Sequence, residues 1–308
     1  MLTVVLGVTT ALVALLLVHR LSGALGGVPG VVVLAVLPWL LVPALLVPVL
    51  SLVVGRWWTG GAGLLLALGL VAVVGRRAVR RRVVPAEGPQ LRLMTANLYL
   101  GRAGADAVVE VVRAHAVDVL SLQELTPGEV ARLDAAGLAR LLPHRVLDAR
   151  PHGLGSGICS RWPLTELPGP AGLRCAVPRA RVQLPGGATL DVTSVHLAAP
   201  VGRRLARRWV EEAGLLGRTV GSGPTVLAGD FNATLDHPPL RRLLRDGHVD
   251  AAAAVGAGLR TTWRQPGLAP PLTIDHVLLR GAVHARSVRV VPVAGSDHRA
   301  VVAELVLG

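Results

Sequence analysis

The chain has 308 residues, 52% of them hydrophobic, a formal net charge of +13 and a mean hydropathy of +0.55. Hydropathy that high excludes an ordinary soluble domain, because the excess must be concentrated in one apolar segment. Two cysteines cannot build a structural zinc site by themselves, and 3% aromatic residues argue against a platform that stacks successive unpaired bases.

All 32 cationic residues are arginine, so arginine enrichment reads as a composition bias before it reads as phosphate recognition. Seven arginines and no acid precede residue 86, which leaves 25 arginines against 19 acids, or +6, for residues 86–308. A modestly basic domain suits an anionic substrate or surface as well as plain solubility.

The apolar excess lies at the start. Residues 1–18 carry no charge and end at His19-Arg20, and at ~1.5 Å per residue they nearly cross a hydrocarbon core. A cleaved signal peptide would need a basic start, which is missing. Residues 28–54 form a second apolar block, interrupted by Pro38, Pro43 and Pro48. It is too short for two passes and long enough for one tilted or kinked helix. Trp57 and Trp58 beside Arg56 resemble an interfacial belt, and Gly60 to Val74 completes a third span. The expectation is a membrane domain over residues 1–82 with three transmembrane helices and the lipid bilayer as its partner.

The run Arg76-Arg77-Ala78-Val79-Arg80-Arg81-Arg82 then places the following domain on the cytoplasmic face by the positive-inside rule. Pro85, Gly88 and Pro89 mark residues 83–90 as a linker, and residues 91–308 suffice for one large core.

That second domain is built from strands with apolar bodies and polar ends. Leu91 to Leu98 ends near Asn97, and Val117 to Glu124 ends on Gln123 and Glu124, with a helix over Asp106 to His115 between them. Glu129 to Leu142 reads as helix and Gly153 to Ser160 as a glycine-rich strand. Thr189 to Leu197 alternates and places His196 near its end, followed by an amphipathic helix from about Val201 to Leu216 with Arg203, Arg204, Arg207 and Arg208 in its first half. Those arginines suit a solvated face, lipid headgroups or a phosphate backbone. The run Val226-Leu227-Ala228-Gly229-Asp230-Phe231-Asn232 delivers a carboxylate and a carboxamide to one strand mouth, where they can orient one water. Leu272 to Leu279 is interrupted by Asp275, and Ser296-Asp297-His298 leads into a final strand. Each polar end taken singly fits a turn residue, but six in one domain point to a shared site where the strand ends gather. Cys159 and Cys175 fit two buried thiols better than a disulfide.

The order Asn97, Gln123-Glu124, His196, Gly229-Asp230-Phe231-Asn232, Ile274-Asp275-His276, Ser296-Asp297-His298 resembles the endonuclease/exonuclease/phosphatase superfamily, over residues 91–308. The resemblance implies an α/β fold, a four-layered α/β sandwich of two packed mixed sheets flanked by helices. It implies Glu124 as principal metal ligand, with Asp297 and Asn97 nearby, holding Mg²⁺ or Mn²⁺. Asp230 would orient or deprotonate the attacking water and Asn232 would steady it. His298, held by Asp275, would donate to a non-bridging oxygen, and His196 would stand near the leaving group. Abasic-site endonucleases place an acid two residues after the first Asn, where this chain has Tyr99, which disfavours repair of abasic DNA.

Three spans before such a domain are similar in architecture to VanJ-type teicoplanin-resistance membrane proteins, which implies a lipid-carrier pyrophosphate substrate and an outward-facing domain, opposite to the positive-inside expectation. The leading expectation is a membrane-anchored, metal-dependent phosphoesterase acting on a lipid-linked phosphate or pyrophosphate. The alternative is a tethered nuclease. A catalytically inactive interaction module would require a lost ligand or base, and none is lost. Nothing in the sequence calls for an organic cofactor or identifies a partner protein.

Overall fold

The structure, a computed structural model, describes residues 2–80, 87–218, 221, 223–264 and 267–308. The apolar first segment folds as helices α1 (Leu2–Ser22), α2 (Gly27–Ala35), α3 (Leu41–Val53) and α4 (Trp57–Gly75). Two of these, α1 and α4, are long and apolar enough to cross a membrane, and the α2–α3 pair makes a third span only if its bend is counted within one pass. Small residues on one face of α4 let the helices close up. A Cβ at Gly63 would lie 3.1 Å from the Pro48 Cβ and 3.2 Å from the Thr10 Oγ1.

The block expected as one kinked helix over 28–54 is two helices and a 3₁₀ turn, Leu37–Leu40, bent by 67°. Pro38 accounts for the break, since it cannot continue the preceding ladder. The bend has a tertiary partner too. Val31 packs with Trp209, Leu216 and Leu240 of the following domain, so α2 lies on that domain and α3 packs with α1 and α4.

The remaining chain alternates β1 (Gln90–Asn97), α5 (Ala105–Ala114), β2 (Val119–Gln123), α6 (Pro127–Ala135), α7 (Leu138–Leu141), β3 (His144–Asp148), β4 (Ser156–Ser160), β5 (Leu164–Leu167), β6 (Arg179–Gln183) and β7 (Thr189–His196). It continues through α8 (Gly202–Arg218), β8 (Thr225–Asp230), α9 (Pro238–Arg245), β9 (Val249–Asp250), α10 (Ala251–Ala254), β10 (Asp275–Arg280), β11 (Val283–Pro292) and β12 (Arg299–Leu307). The helix expected over 129–142 is divided at Gly137, whose φ of 97° no helix interior accommodates.

Two six-stranded mixed sheets form, in the orders β11-β12-β1-β2-β4-β3 and β5-β6-β7-β8-β10-β9. Leu91, Leu93, Val119, Ile158, Val182, Val192, Val226 and Leu305 fill the space between them. Val108, Val112 and Leu133 of α5 and α6 cover the outside of the first sheet, and Trp209, Leu216 and Leu240 of α8 and α9 cover the second, which is the four-layered sandwich. Toward one end the inter-sheet core turns polar. Ser121 Oγ donates to Ser194 Oγ and Gln123 Nε2 to both hydroxyls, while Thr95 donates to Gln123 Oε1. Gln123 therefore ties the sheets together beneath the site.

The helices also reach the loop that leaves the site strand β8. Asp236, with a fully buried side chain, accepts from Arg20 at 2.5 Å and from Arg77 at 2.6 and 2.8 Å. His237 Nε2 contacts the Val31 carbonyl at 2.9 Å, and Trp39 Nε1 donates to the Pro271 carbonyl. Arg80 bridges to Val255 as the chain leaves α4. Residues 83–86 of the expected linker, and Arg81 and Arg82, lie outside the described residues.

Candidate active site

Strand direction decides which residues meet. Asn97, Gln123, His196 and Asp230 close β1, β2, β7 and β8, whereas Asp275 opens β10 and His298 immediately precedes β12. The parallel pairs β1–β2 and β7–β8 lie inside their sheets, and β10 and β12 run against them, so last residues of one set meet first residues of the other. Register completes the arrangement, with both His196 and Asp275 opposite Asp230. A Cβ at Gly229 would lie 1.9 Å from the Val195 carbonyl oxygen, so glycine lets β8 approach β7 this closely.

Glu124 and Asn232 lie just past their strands with φ of 56° and 49°, left-handed values that turn the chain sharply at the strand mouth. Alternation sends His276 the other way, into the outer layer, where it meets Asp250 at 2.9 Å and the Ala233 carbonyl at 2.8 Å.

The structure brings all eight expected side chains together. Asn97 Nδ2 donates to Glu124 Oε1 at 3.1 Å and to Asp230 Oδ2 at 3.0 Å, while its Oδ1 accepts from the Tyr99 N–H. Asn97 Nδ2 thus spaces two carboxylates, while its Oδ1, the oxygen that would face a metal, already accepts one N–H and has a second lone pair. The Asn232 N–H donates to Asp230 Oδ1, and Asn232 Nδ2 to the Leu197 carbonyl. His298 Nδ1 is 3.0 Å from Asp275, and its Nε2 lies 3.8 Å from Asp230 and 3.9 Å from Asp297. His196 Nε2 is 4.0 Å from Asp230.

Burial sets the protonation of this cluster. It raises the Asp230 pKa, helped by the Asp275 charge, and it raises that of Glu124. His298 is also buried, which by itself disfavours its cation, but Asp275, Asp230 and Asp297 outweigh burial and lift its pKa to about 10. Burial and the neighbouring His298 cation lower His196 to about 4. One imidazole is therefore a cation and the other neutral at pH 7. Cys159 and Cys175 are buried free thiols, each pushed by burial to about 12.

The donor set fits a hard divalent cation. Asp297 Oδ1 is buried without a hydrogen-bond partner, and the Asp297 charge also disfavours ionisation of nearby Glu124. Two carboxylates arranged so are relieved by a cation between them. A second grouping, Asp230, Asp275 and His298, offers ligand atoms within 4.8 Å of one another. There, however, Asp275 is committed to His298 Nδ1 and the imidazole is cationic, so Glu124 and Asp297 are the better pair.

The profile of the Endonuclease/Exonuclease/phosphatase family matches residues 94–298, about two thirds of the chain. The chain belongs to this family. Enzymes of the Endonuclease/Exonuclease/phosphatase family are metal-dependent phosphoester hydrolases, and this chain is an enzyme of that class. Among solved structures, an endonuclease/exonuclease/phosphatase from Beutenbergia cavernae is similar at 24% identity over 71% of this chain and 72% of that one, with a TM-score of 0.57. A humanized D. rerio TDP2 is 18% identical over 70% and 98%, with a TM-score of 0.56. An Endonuclease/Exonuclease/phosphatase family protein from Bacteroides thetaiotaomicron is 19% identical over 72% and 96%, with a TM-score of 0.51. At these identities the likeness shows the shared fold. A search of curated proteins finds no match.

Three contributors to the site escape sequence reasoning. Trp263 Nε1 donates to Asp297 Oδ2 at 3.0 Å, the Leu100 N–H donates to Glu124 Oε2 at 2.7 Å, and Arg174 is near enough to disfavour the His196 cation. Trp263 alone left a signal, as a tryptophan in an aromatic-poor chain.

Proposed function

We propose that this protein is a membrane-anchored phosphoesterase acting on a lipid-linked phosphate or pyrophosphate. In this reading residues 1–82 form a three-pass membrane domain, 83–90 a linker and 91–308 the catalytic domain. One observation carries it: Asp236, four residues beyond Asn232, is clamped by Arg20 and Arg77 at the ends of two apolar helices. The loop leaving the site strand β8 therefore adjoins the helix ends, which supports a substrate held near the headgroups.

Mg²⁺ or Mn²⁺ held by Glu124 and Asp297 would polarise the phosphoryl group and neutralise developing charge. Asp230, whose raised pKa suits a base, accepts the proton of the attacking water, and Asn232 fixes the carboxylate that does so. His298 donates from Nε2 to a non-bridging oxygen while Asp275 holds its Nδ1. Burial and the His298 cation keep His196 neutral, so it acts as a neutral hydrogen-bond donor near the leaving group.

The test is phosphate release by the full-length protein in detergent micelles, from polyprenyl phosphate and from phosphatidate, with Mg²⁺ or with chelator. Metal-dependent release that disappears in Asp230→Asn is the expected result. Release that survives the substitution overturns the assignment.

A second reading, a tethered nuclease, is favoured by the groove of about 940 Å³ lined by Arg174, Arg203, Arg204, Arg207 and Arg208. The solved D. rerio TDP2 complexed with single strand DNA product, 15% identical with a TM-score of 0.54, has this fold. Digestion of plasmid DNA with steep salt dependence would put this reading first.

A further inference from the structure

A cleft of about 190 Å³ opens where the helices meet the sandwich, with Ala35, Pro38, Trp39, Leu235, Leu259 and Leu272 among its walls. Two observations give it an occupant. The first is an apolar path leading to it. Val42, Leu46, Val49 and Val53 of α3 are exposed at helical spacing, and Trp39, three residues before Val42, extends the stripe to the cleft wall. Leu259 on the cleft wall is exposed too, and the fully exposed Leu268 precedes the wall residue Pro271 by three residues. A surface of that kind matches hydrocarbon.

The second is that the cleft walls are continuous with the catalytic strands. Leu272 exchanges both backbone hydrogen bonds with Trp263, whose indole holds Asp297. Thr273, also on the wall, precedes Asp275 by two residues, roughly 7 Å of extended chain. Leu235 follows Asn232 by three.

We propose that this cleft is the chain subsite of the enzyme, taking the first segment of the hydrocarbon of a single-chain lipid phosphate whose phosphoester lies among Asp230, Asp297 and His298. The inference rests on the lipid-phosphate reading of the site. Its volume fits one chain and not two, since pockets that engulf larger ligands run to ~300 Å³ and more. The bundle supplies the apolar route, and the strand ends fix the headgroup at its end.

The full-length protein in micelles is assayed on single-chain alkyl and prenyl phosphates of rising length and on diacyl phosphatidate. It is also irradiated with a single-chain lipid phosphate bearing a diazirine close to its headgroup. The subsite predicts that kcat/KM rises with chain length for single-chain substrates, mainly through KM, and that phosphatidate is cleaved less well. Ala35→Phe, which fills the cleft, and Leu259→Ser, which roughens it, each reduce the long-to-short preference about tenfold, the equivalent of one or two methylenes withdrawn from contact. The photoproduct appears on the segment spanning residues 258–273 of the unaltered protein, a result independent of any variant's folding. Hydrolysis without chain-length preference, a preference for phosphatidate, or labelling confined to α1, α3 and α4 overturns the subsite and leaves the lipid-phosphatase reading standing. Failure to cleave any lipid phosphate, together with no labelling of 258–273, overturns both.

Discussion

Asp230 faces two imidazoles at 3.8 and 4.0 Å and an amide at 3.0 Å, and each neighbour has its own cause in the backbone. His196 arrives by parallel register, Asn97 from the facing sheet, and His298 from the turn into β12. If Asp230 accepts the water's proton as proposed, its removal should lower kcat by about 10²–10⁴. Asp230→Asn keeps the shape, so loss of turnover with an unchanged thermal transition is the expected outcome. The site residues were legible because a strand-end motif is a local sequence event. Trp263 was not, since its partner Asp297 is 34 residues away and no periodicity links them. Trp263→Phe deletes the donor that orients Asp297, and supporting hydrogen bonds of this kind are worth about 10–100-fold in metal affinity. The metal concentration for half-maximal activity should rise accordingly, with kcat at saturating metal largely retained.

At the scale of elements, the loop between β8 and α9 is held from two sides. Trp209 of α8 donates to the Phe231 carbonyl and packs edge-on against His237, and α1, α2 and the chain after α4 meet Thr234 to His237. Burial by itself would raise the Asp236 pKa, but Arg77, then Arg20, hold it below the ordinary carboxylate range. A depressed folded-state pKa contributes stability that is full above the unfolded value of ~4 and is lost as pH falls through the folded value. Asp236→Asn leaves two guanidiniums without their buried counter-charge, a change worth about 3–5 kcal/mol. The substituted protein should melt well below the parent at pH 7, and the gap should close on acidification below pH ~4; a gap constant with pH would show that the Asp236 charge is not what joins the two parts. Nothing in the sequence pairs residue 236 with residues 20 and 77, because the pairing is tertiary. For the same reason the second apolar block reads as one helix, although its first third is buried on the sandwich by Val31. Hydropathy registers that a segment avoids water, not whether lipid or protein replaces the water.

For the whole molecule, the path of α1, α3 and α4 fixes the ends of the bundle relative to the catalytic domain. Arg20 and Arg77 touch Asp236, and Arg76 and Arg80 flank that junction, whereas Arg56 lies at the opposite end, between α3 and α4. Among the described residues the catalytic end carries four of these cationic residues and the far end one. The positive-inside rule counts Lys and Arg near the ends of spans and gives acids little weight, so the Asp236 counter-charge does not cancel the bias. Each such residue near an anionic cytoplasmic surface is worth about 1 kcal/mol, and the difference of three favours a catalytic domain in the cytoplasm. A compartment-sensitive reporter fused after Gly308 should therefore be active only in its cytoplasmic form. An outward-facing reporter would reverse the charge argument, remove chromosomal DNA and most nucleotides as substrates, and leave headgroups or a lipid carrier on the outer leaflet. An inward-facing one keeps the arginine groove of α8 within reach of nucleic acid, so the salt dependence of DNA cleavage then decides between the two readings of the site.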